Sequence, residues 1–259
     1  MKWDSPWGKS YPGWHLECSA IGKKFLGEHF DIHTGGIDHV PIHHENEIAQ
    51  SKGATGKIPA NYWMHTEFLL VDGGKMSKSL GNVYTLDELQ ERNIEPLAFK
   101  LFCYTSHYRN KLNFTFEGVN ASEKALGRLR EGYISHINGK EIADKDKLES
   151  YKKRFTLAIN DDLNMPLAMG IVWELIREEK KSPEYAKLLE EFDEVLGLNL
   201  KNYKKKSIEI PKDVQNLIEE RIEARKNKDW KKSDTLRDMI KIKGFIVKDT
   251  PNGVEVEKA

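Results

Sequence analysis

The chain has 259 residues, enough for two or three domains with at least one sizeable core. Hydrophobic residues make up 39% and charged residues 32%, and the formal net charge is zero, which excludes a disordered polymer and a strongly basic, non-specific nucleic-acid binder. No run approaches the roughly 18 apolar residues that span a bilayer, Met1–Trp7 has no signal-peptide core, and two cysteines cannot build a disulfide framework, so a cytoplasmic, reducing setting is expected.

In chain order, Phe30–His33 and Glu67–Val71 read as strands, while the stretches around Cys18 and from Ile42 to Ser51 read as helices. That alternation predicts an α/β layer structure. Thr85-Leu86-Asp87-Glu88 has the form of a capping box and should open a helix. Pro96 should open another, carrying Leu97, Phe99, Leu101, Phe102 and Tyr104, with Cys103 among them as a core residue. From Phe116 to Leu196 the pattern is helical, broken at Asp144–Asp146 and Ser182-Pro183, with Asn160–Asp162 as a candidate cap. Asn199–Ser207 reads as a lysine-rich linker. Pro211 opens a last small domain, helical to Lys243, in which Gly244–Val247 and Gly253–Val256 flank Thr250–Gly253 as a hairpin. From Lys201 to Ala259 there are 16 Lys and Arg against 11 Asp and Glu, about +5, an excess that a solvated helical surface also produces. The expected domains are residues 1–115, 116–200 and 208–259.

The strongest motif is Lys75-Met76-Ser77-Lys78-Ser79. Two lysines and two hydroxyls between Gly73-Gly74 and Gly81-Asn82 suit a triphosphate: the lysines offset charge on leaving pyrophosphate, and the serines donate hydrogen bonds. An ordinary polar loop is the bland alternative. His43 and Glu47 lie four apart, so on a helix they share a face and can hold one metal, to which Cys18 would add a thiolate. Such a mixed sulfur, nitrogen and oxygen set suits zinc. Against that, a lone cysteine is more often a small hydrophobe, and a His–Glu pair at this spacing is often only a surface pair. His44-Glu45-Asn46-Glu47-Ile48 starts like a zinc-protease helix but lacks its second histidine.

Lys75–Ser79 is identical to the second signature of the class I aminoacyl-tRNA synthetases, and Gly35-Gly36-Ile37-Asp38 resembles their adenosine-binding segment. Gly13-Trp14-His15-Leu16-Glu17-Cys18 and Pro41-Ile42-His43-His44-Glu45-Asn46-Glu47 resemble the cysteine–tRNA ligase family, and the resemblance covers essentially the whole chain. It implies a partial Rossmann-type α/β catalytic domain, a helical bundle and a small anticodon-binding domain. It also implies cysteine, ATP with Mg2+, and tRNA(Cys) as partners of an enzyme that is a monomer when complete. Zinc on Cys18, His43 and Glu47, completed by a family cysteine that would lie before Met1, selects the substrate thiol. An apolar pocket alone would distinguish cysteine from serine by only roughly 1–3 kcal/mol, whereas zinc prefers thiolate to hydroxyl.

The resemblance further places Trp14 beside the bound amino acid, and His33, Gly36, Asp38 and Lys78 toward ATP. Lys75 and Lys78 act on pyrophosphate, and His15 and His65 belong to the active site. Ile222–Trp230 with Ser233-Asp234 resembles the anticodon-binding segment, in which Trp230 stacks on a base while Arg225 and Asp234 read base edges. Near the end, Val254-Glu255-Val256 stands where the family usually has a threonine–tryptophan pair. The first class I signature is absent, so Met1 is expected to be an internal residue or the start of a truncated frame, and the isolated chain to make no cysteinyl-tRNA. A cysteine:sugar-amine ligase of the mycothiol pathway resembles the same catalytic core, and a non-catalytic tRNA- or zinc-binding fragment is the alternative of a different class.

Overall fold

The computed structural model describes residues 2–204, 210–250 and 253–258. It divides into two compact units, Met1–Asn202 and Tyr203–Ala259. The fold is mixed α/β, as expected.

The first unit opens with a hairpin, β1 (Trp3–Ser5) and β2 (Gly8–Ser10), followed by helix α1 (Trp14–Leu26). Next comes a parallel β-α-β unit. Strand β3 (Phe30–Gly36) runs into a short 3-10 turn (Ile37–His39), a π-helical turn (Val40–His44) and helix α2 (Glu45–Thr55), then returns as β4 (Ala60–Thr66). Strands β3 and β4 pair in parallel, with His33 opposite Trp63 and Gly35 opposite His65. A parallel partner demands such a helical crossover. Gly56 at φ 78° ends α2 in the left-handed conformation that glycine adopts without strain. Ser19 of α1 donates to Gln50 of α2 at 2.8 Å, tying the two helices together.

A three-stranded sheet follows, with β5 (Leu69–Val71) antiparallel to β6 (Gly74–Lys75) and parallel to β7 (Leu112–Phe114). The expected strand from Glu67 is thus shorter. Glu67 lies outside it because its backbone N–H is taken by the Tyr108 carbonyl at 2.9 Å. Helix α3 (Leu86–Glu91) begins at Thr85 with both capping-box bonds in place, and α4 (Pro96–Cys103) begins at the expected proline. Val71, Leu89, Ile94, Ala98, Phe102, Phe114 and Val119 form one core here. Cys103 is not part of it. It is half-buried at the end of α4 and lines an apolar cavity of about 550 Å³ with Leu163, Met165 and Val195. Thr85→Ala removes the cap that seats Leu89 in this core, and should lower the unfolding free energy by about 1 kcal/mol, read as an earlier urea midpoint.

Helices α5 (Phe116–Ile137), α6 (Lys145–Asn160), α7 (Met165–Ile176) and α8 (Pro183–Leu196) form a bundle around Leu126, Leu129, Phe155, Val172, Leu175, Leu189 and Leu196. Side chains of Thr115, Asp144, Asn164 and Ser182 cap them. The cap of α7 is therefore Asn164, not the Asn160–Asp162 run. Asp162 and Leu163 both sit at φ 54° in the turn, and the Asp162 carboxylate is held by the Tyr108 hydroxyl at 2.5 Å and by Arg109 at 2.8 Å.

The second unit holds α9 (Lys212–Lys226), which starts after Pro211 as expected, and α10 (Trp230–Ile242). These pack on the antiparallel hairpin β8 (Phe245–Thr250) and β9 (Gly253–Lys258). Val214, Ile218, Ile240, Phe245 and Val247 form its core. The hairpin stands as expected. Its turn residues Pro251 and Asn252, and the linker residues from Lys205 to Ser207, lie outside the described residues. Among the described residues no helix is long and apolar enough to cross a membrane.

Candidate metal and nucleotide centre

The π-helical turn after β3 places His43 and His44 side by side in the interior, 6% and 3% exposed. Glu47, 3% exposed, follows within the first turn of α2. Cys18 reaches the same place from α1. Donor atoms of Cys18, His43 and Glu47 all lie within 4.8 Å of one another, the spread that a single bound ion requires. His33, His44 and Glu47 satisfy the same limit, so Glu47 is shared by two candidate sets.

The hydrogen bonds distinguish them. His33 Nε2 is 2.6 Å from Glu47 Oε2, and His44 Nδ1 is 2.8 Å from His65 Nε2, so the second set is already engaged. In the first set, His43 Nε2 stands 2.7 Å from Glu47 Oε1. Even so, Glu47 Oε1 and His43 Nδ1 are buried without a hydrogen-bond partner among the described residues. Two buried polar atoms left unsatisfied beside a thiol are a costly arrangement unless a cation draws on them. The donor set of Cys18, His43 and Glu47 therefore fits zinc.

Electrostatics agrees. Burial and the neighbouring imidazoles lower the pKa of His44 to about 4, and burial and nearby imidazoles depress His65 as well, so both rings are neutral at pH 7. Burial, then the negative Glu47, pushes the Cys18 thiol up, so it ionises readily only when a cation compensates. Trp14, 59% exposed, leans on His43 with ring centroids 4.4 Å apart. His15 meets His43 edge-on at 5.6 Å. Gly35 has a packing reason for being glycine: a Cβ there would lie 2.6 Å from His44 and 2.7 Å from His39. A Cβ on Gly36 would strike the Asp38 carboxylate, which is exposed at the mouth of the 3-10 turn. His39 and His44 were not singled out in the sequence. His44 lies beside a recognised ligand candidate, and that adjacency was the available signal.

The lysine–serine loop follows β6. Asn82 clamps it, accepting from Ser77 N at 2.8 Å and donating to the Lys75 carbonyl at 3.0 Å. Gly73 and Gly81 take φ of 78° and 65°, so these glycines serve turn geometry. Met76 packs on the core below. Lys75 and Lys78 point outward, with no ion-pair partner among the described residues. The structure thus offers two free ammonium groups on an anchored loop.

In the second unit, Arg225 lies 3.3 Å from Asp249 and 5.6 Å from the ring centroid of Trp230. Trp230 is 56% exposed and outside the core, which removes the possibility that it is a packing residue. Asp234 follows one turn later on α10, exposed, lining a cavity of about 400 Å³ with Arg237 and Phe245. Asp249 was missed in the sequence. It grips Arg221 through two bonds of 2.9 and 2.8 Å while also facing Arg225.

Residues 1–124 match the family described as tRNA synthetases class I (C) catalytic domain, and residues 208–256 the Cysteinyl-tRNA ligase anticodon binding domain. The chain's fold resembles that of the Agrobacterium radiobacter K84 agnB2 LeuRS in its ternary complex with tRNA and LeuAMS, with a TM-score of 0.54 and 18% identity over 76% of this chain and 32% of that one. The two family matches thus define a class I aminoacyl-tRNA synthetase chain. Cysteine–tRNA ligase 1 of Burkholderia lata is 45% identical over 98% of this chain and 53% of its own length. The cysteine–tRNA ligase of Caldicellulosiruptor saccharolyticus is 41% identical over 99% of this chain and 58% of its own. The chain belongs to the cysteine–tRNA ligase family, and it spans a little over half the length of the curated relatives it matches.

Proposed function

We propose that this chain carries the cysteine-selecting, pyrophosphate-binding and anticodon-reading parts of a cysteine–tRNA ligase. The observation that carries the reading is the convergence of Cys18, His43 and Glu47 within 4.8 Å, with unsatisfied buried atoms on two of them. Cys18, His43 and Glu47 would hold zinc there, and it would supply a preference for thiolate over hydroxyl. His33, bonded to Glu47 Oε2, holds that carboxylate so that Oε1 stays turned toward Cys18 and His43. Trp14 screens the same place from water and orients the amino acid. Asp38 accepts hydrogen bonds from the ribose hydroxyls of ATP, while Gly36 and the His33 side of β3 border the nucleoside.

In the first step the cysteine carboxylate attacks the α-phosphate of ATP, and pyrophosphate leaves; Mg2+ brought with ATP would offset phosphate charge. Lys75 and Lys78 meet the charge that grows on it. In the second step a terminal ribose hydroxyl of tRNA(Cys) attacks the adenylate carbonyl, and AMP leaves. Trp230 stacks on an anticodon base, with Arg225 and Asp234 on base edges. A cysteine:sugar-amine ligase has no use for the segment matched at 208–256.

Cobalt(II) titration of the purified chain tests the carrying observation. Cysteine should strengthen a sulfur-to-cobalt charge-transfer band and serine should not. A band indifferent to cysteine would overturn the reading. Cysteine-dependent pyrophosphate exchange, run with the chain alone and with the amino-terminal part of a relative added, tests the chemistry. In whichever setting exchange occurs, Lys78→Ala should slow it by about 10²–10³-fold while leaving tRNA affinity within about twofold. Equal losses in both assays would point to a folding defect.

A further inference from the structure

The metal centre and the lysine–serine loop stand on different sheets. His65 lies on β4, which pairs with β3, whereas Lys75 leaves the second sheet from β6, opposite Leu70 of β5. Whatever fixes the second sheet therefore sets the gap between the two. Its two ends are held differently. Val71 and Phe114, the last residues of β5 and β7, are buried in a core with Phe102 and Val119. Leu69 and Leu112, the first residues, are only partly buried and border the cavity of about 550 Å³. Side-chain packing grips that end less.

Hydrogen bonds hold it instead. The Glu67 N–H donates to the Tyr108 carbonyl at 2.9 Å, and the Leu112 N–H to the Phe68 carbonyl at 3.3 Å. Tyr108 and both its neighbours are fastened in turn to one residue of the turn between α6 and α7. The Tyr108 hydroxyl and Arg109 Nε donate to the Asp162 carboxylate, and His107 Nε2 to the Asp162 carbonyl at 2.9 Å. His107 Nδ1 accepts from the Arg109 N–H at 3.3 Å, which leaves Nε2 as the protonated nitrogen. The Tyr108 bond, and then the Arg109 charge, hold the Asp162 carboxyl below the usual range. Asp162 makes these contacts from a costly backbone, since it and Leu163 both sit at φ 54°. Bonds from Leu163 and Asn164 to the carbonyls of Ile159 and Ala158 close the turn, and a glycine would make them without strain. What a glycine at 162 would lack is the carboxylate.

We propose that Asp162 is a positioning residue: through His107, Tyr108 and Arg109 it fixes the loosely packed end of the loop-bearing sheet, and with it the gap from the metal centre to Lys75 and Lys78. Asp162 touches no reactant. Its effect passes through Tyr108 to Glu67, the residue after β4, and through the start of β5 to the strand partner of Lys75. Attack of a carboxylate on a phosphate depends closely on spacing, and a misplacement of about 1 Å can cost about 100-fold in rate. The proposal rests on the reading of this chain as the part that brings cysteine at the metal centre to ATP at the loop, and adds to it the residue that sets their spacing.

The test is cysteine-dependent pyrophosphate exchange by the full chain, in whichever setting supports it, beside zinc titration and thermal melting. Asp162→Gly should lower kcat by about 10–100-fold and leave the KM for cysteine and the zinc affinity within about twofold. It should melt close to wild type, because relief of the left-handed strain offsets the lost bonds. Asp162→Asn tolerates the same backbone and still offers Tyr108 an acceptor, so it should recover most of the rate. Tyr108→Phe should slow exchange by itself and add nothing to Asp162→Gly, since both act through one contact. A wild-type kcat in Asp162→Gly would overturn the proposal and leave the reading of the chain standing. So would a loss of kcat accompanied by equal losses of zinc affinity and melting temperature, or losses from Asp162 and Tyr108 that simply add. A wild-type chain that shows no exchange in either setting would remove the reading and the positioning role together.

Discussion

Glu47→Ala should reduce zinc affinity of the purified chain by at least about 100-fold, and Cys18→Ala should do the same. Structural zinc sites are worth about 10–16 kcal/mol over four ligands, so each ligand carries about 3 kcal/mol, which is on the order of 100-fold. Competition against a chromophoric chelator measures this directly. His33→Ala should have a smaller effect, about 10-fold, because it removes only the bond that orients Glu47 through Oε2. The affinity should also depend on pH. The Cys18 thiol must lose its proton to ligate, and burial with the nearby Glu47 charge holds its pKa above the ordinary thiol value. Zinc therefore displaces that proton throughout the neutral range, and the apparent affinity should climb by about tenfold per pH unit from that group. Proton release, read by calorimetry in buffers of different ionisation enthalpy, should vanish in Cys18→Ala. Undiminished zinc binding by Glu47→Ala would show that the convergence of the three side chains has another cause.

Asp249→Ala should strongly destabilise the second unit. Arg221 is 2% exposed, and Asp249 supplies both of the bonds that neutralise it. Removing one member of a buried ion pair commonly costs about 3–5 kcal/mol. The Asp249 side chain is 38% exposed, so water reaches part of the pair and a cost of about 2–3 kcal/mol is expected. A unit of this size is stabilised by only about 3–8 kcal/mol at the usual 0.05–0.15 kcal/mol per residue. Proteolysis and hydrogen exchange should therefore show 203–259 opening while 1–202 stays protected. Arg221→Met added to Asp249→Ala should restore much of the loss, since no buried charge then remains. Arg221 holds the Asp249 carboxyl below the usual range. Its contribution is thus present above the unfolded carboxylate pKa, near 3.9, and is lost as pH falls through the lower folded value. Acid unfolding of this unit should begin below about pH 4. A unit that melts near pH 5–6 would mean that other groups dominate.

Much of this architecture was legible because it is written in local chemistry. Thr85 with Glu88, Pro96 and Pro211 each mark a helix start that depends on neighbours within a few residues. The four-residue step from His43 to Glu47 is likewise local. What escaped depends on contacts across the chain. Strand β4 shows no alternation of buried and exposed residues, since its Tyr62 is exposed while Trp63, Met64 and His65 are all partly covered. No period marks it; its pairing with β3 defines it. His39 joins the imidazole cluster only because β3 and the turn after it fold back over His44, with ring centroids 5.2 Å apart. Asp249 meets Arg221 across 28 positions. The cap of α7 was misplaced because Asn160, Asp161, Asp162 and Asn164 carry equivalent cap chemistry, and only the turn's backbone selects among them.

The π-helical turn Val40–His44 places a limit on how this segment can change over time. Adjacent residues on an α-helix point about 100° apart. The wider turn narrows that angle, and His43 and His44 both face inward. Val40 and Ile42, 39% and 64% exposed, lie on its outer side. Replacing either side chain should therefore be tolerated, while removing or adding one residue would rotate the histidines away from β3 and carry α2, with Glu47, out of register. Relatives of this chain should then vary in composition along the outer side of the turn and keep a fixed spacing through it. Length, rather than identity, is what the proposed metal centre would hold constant there.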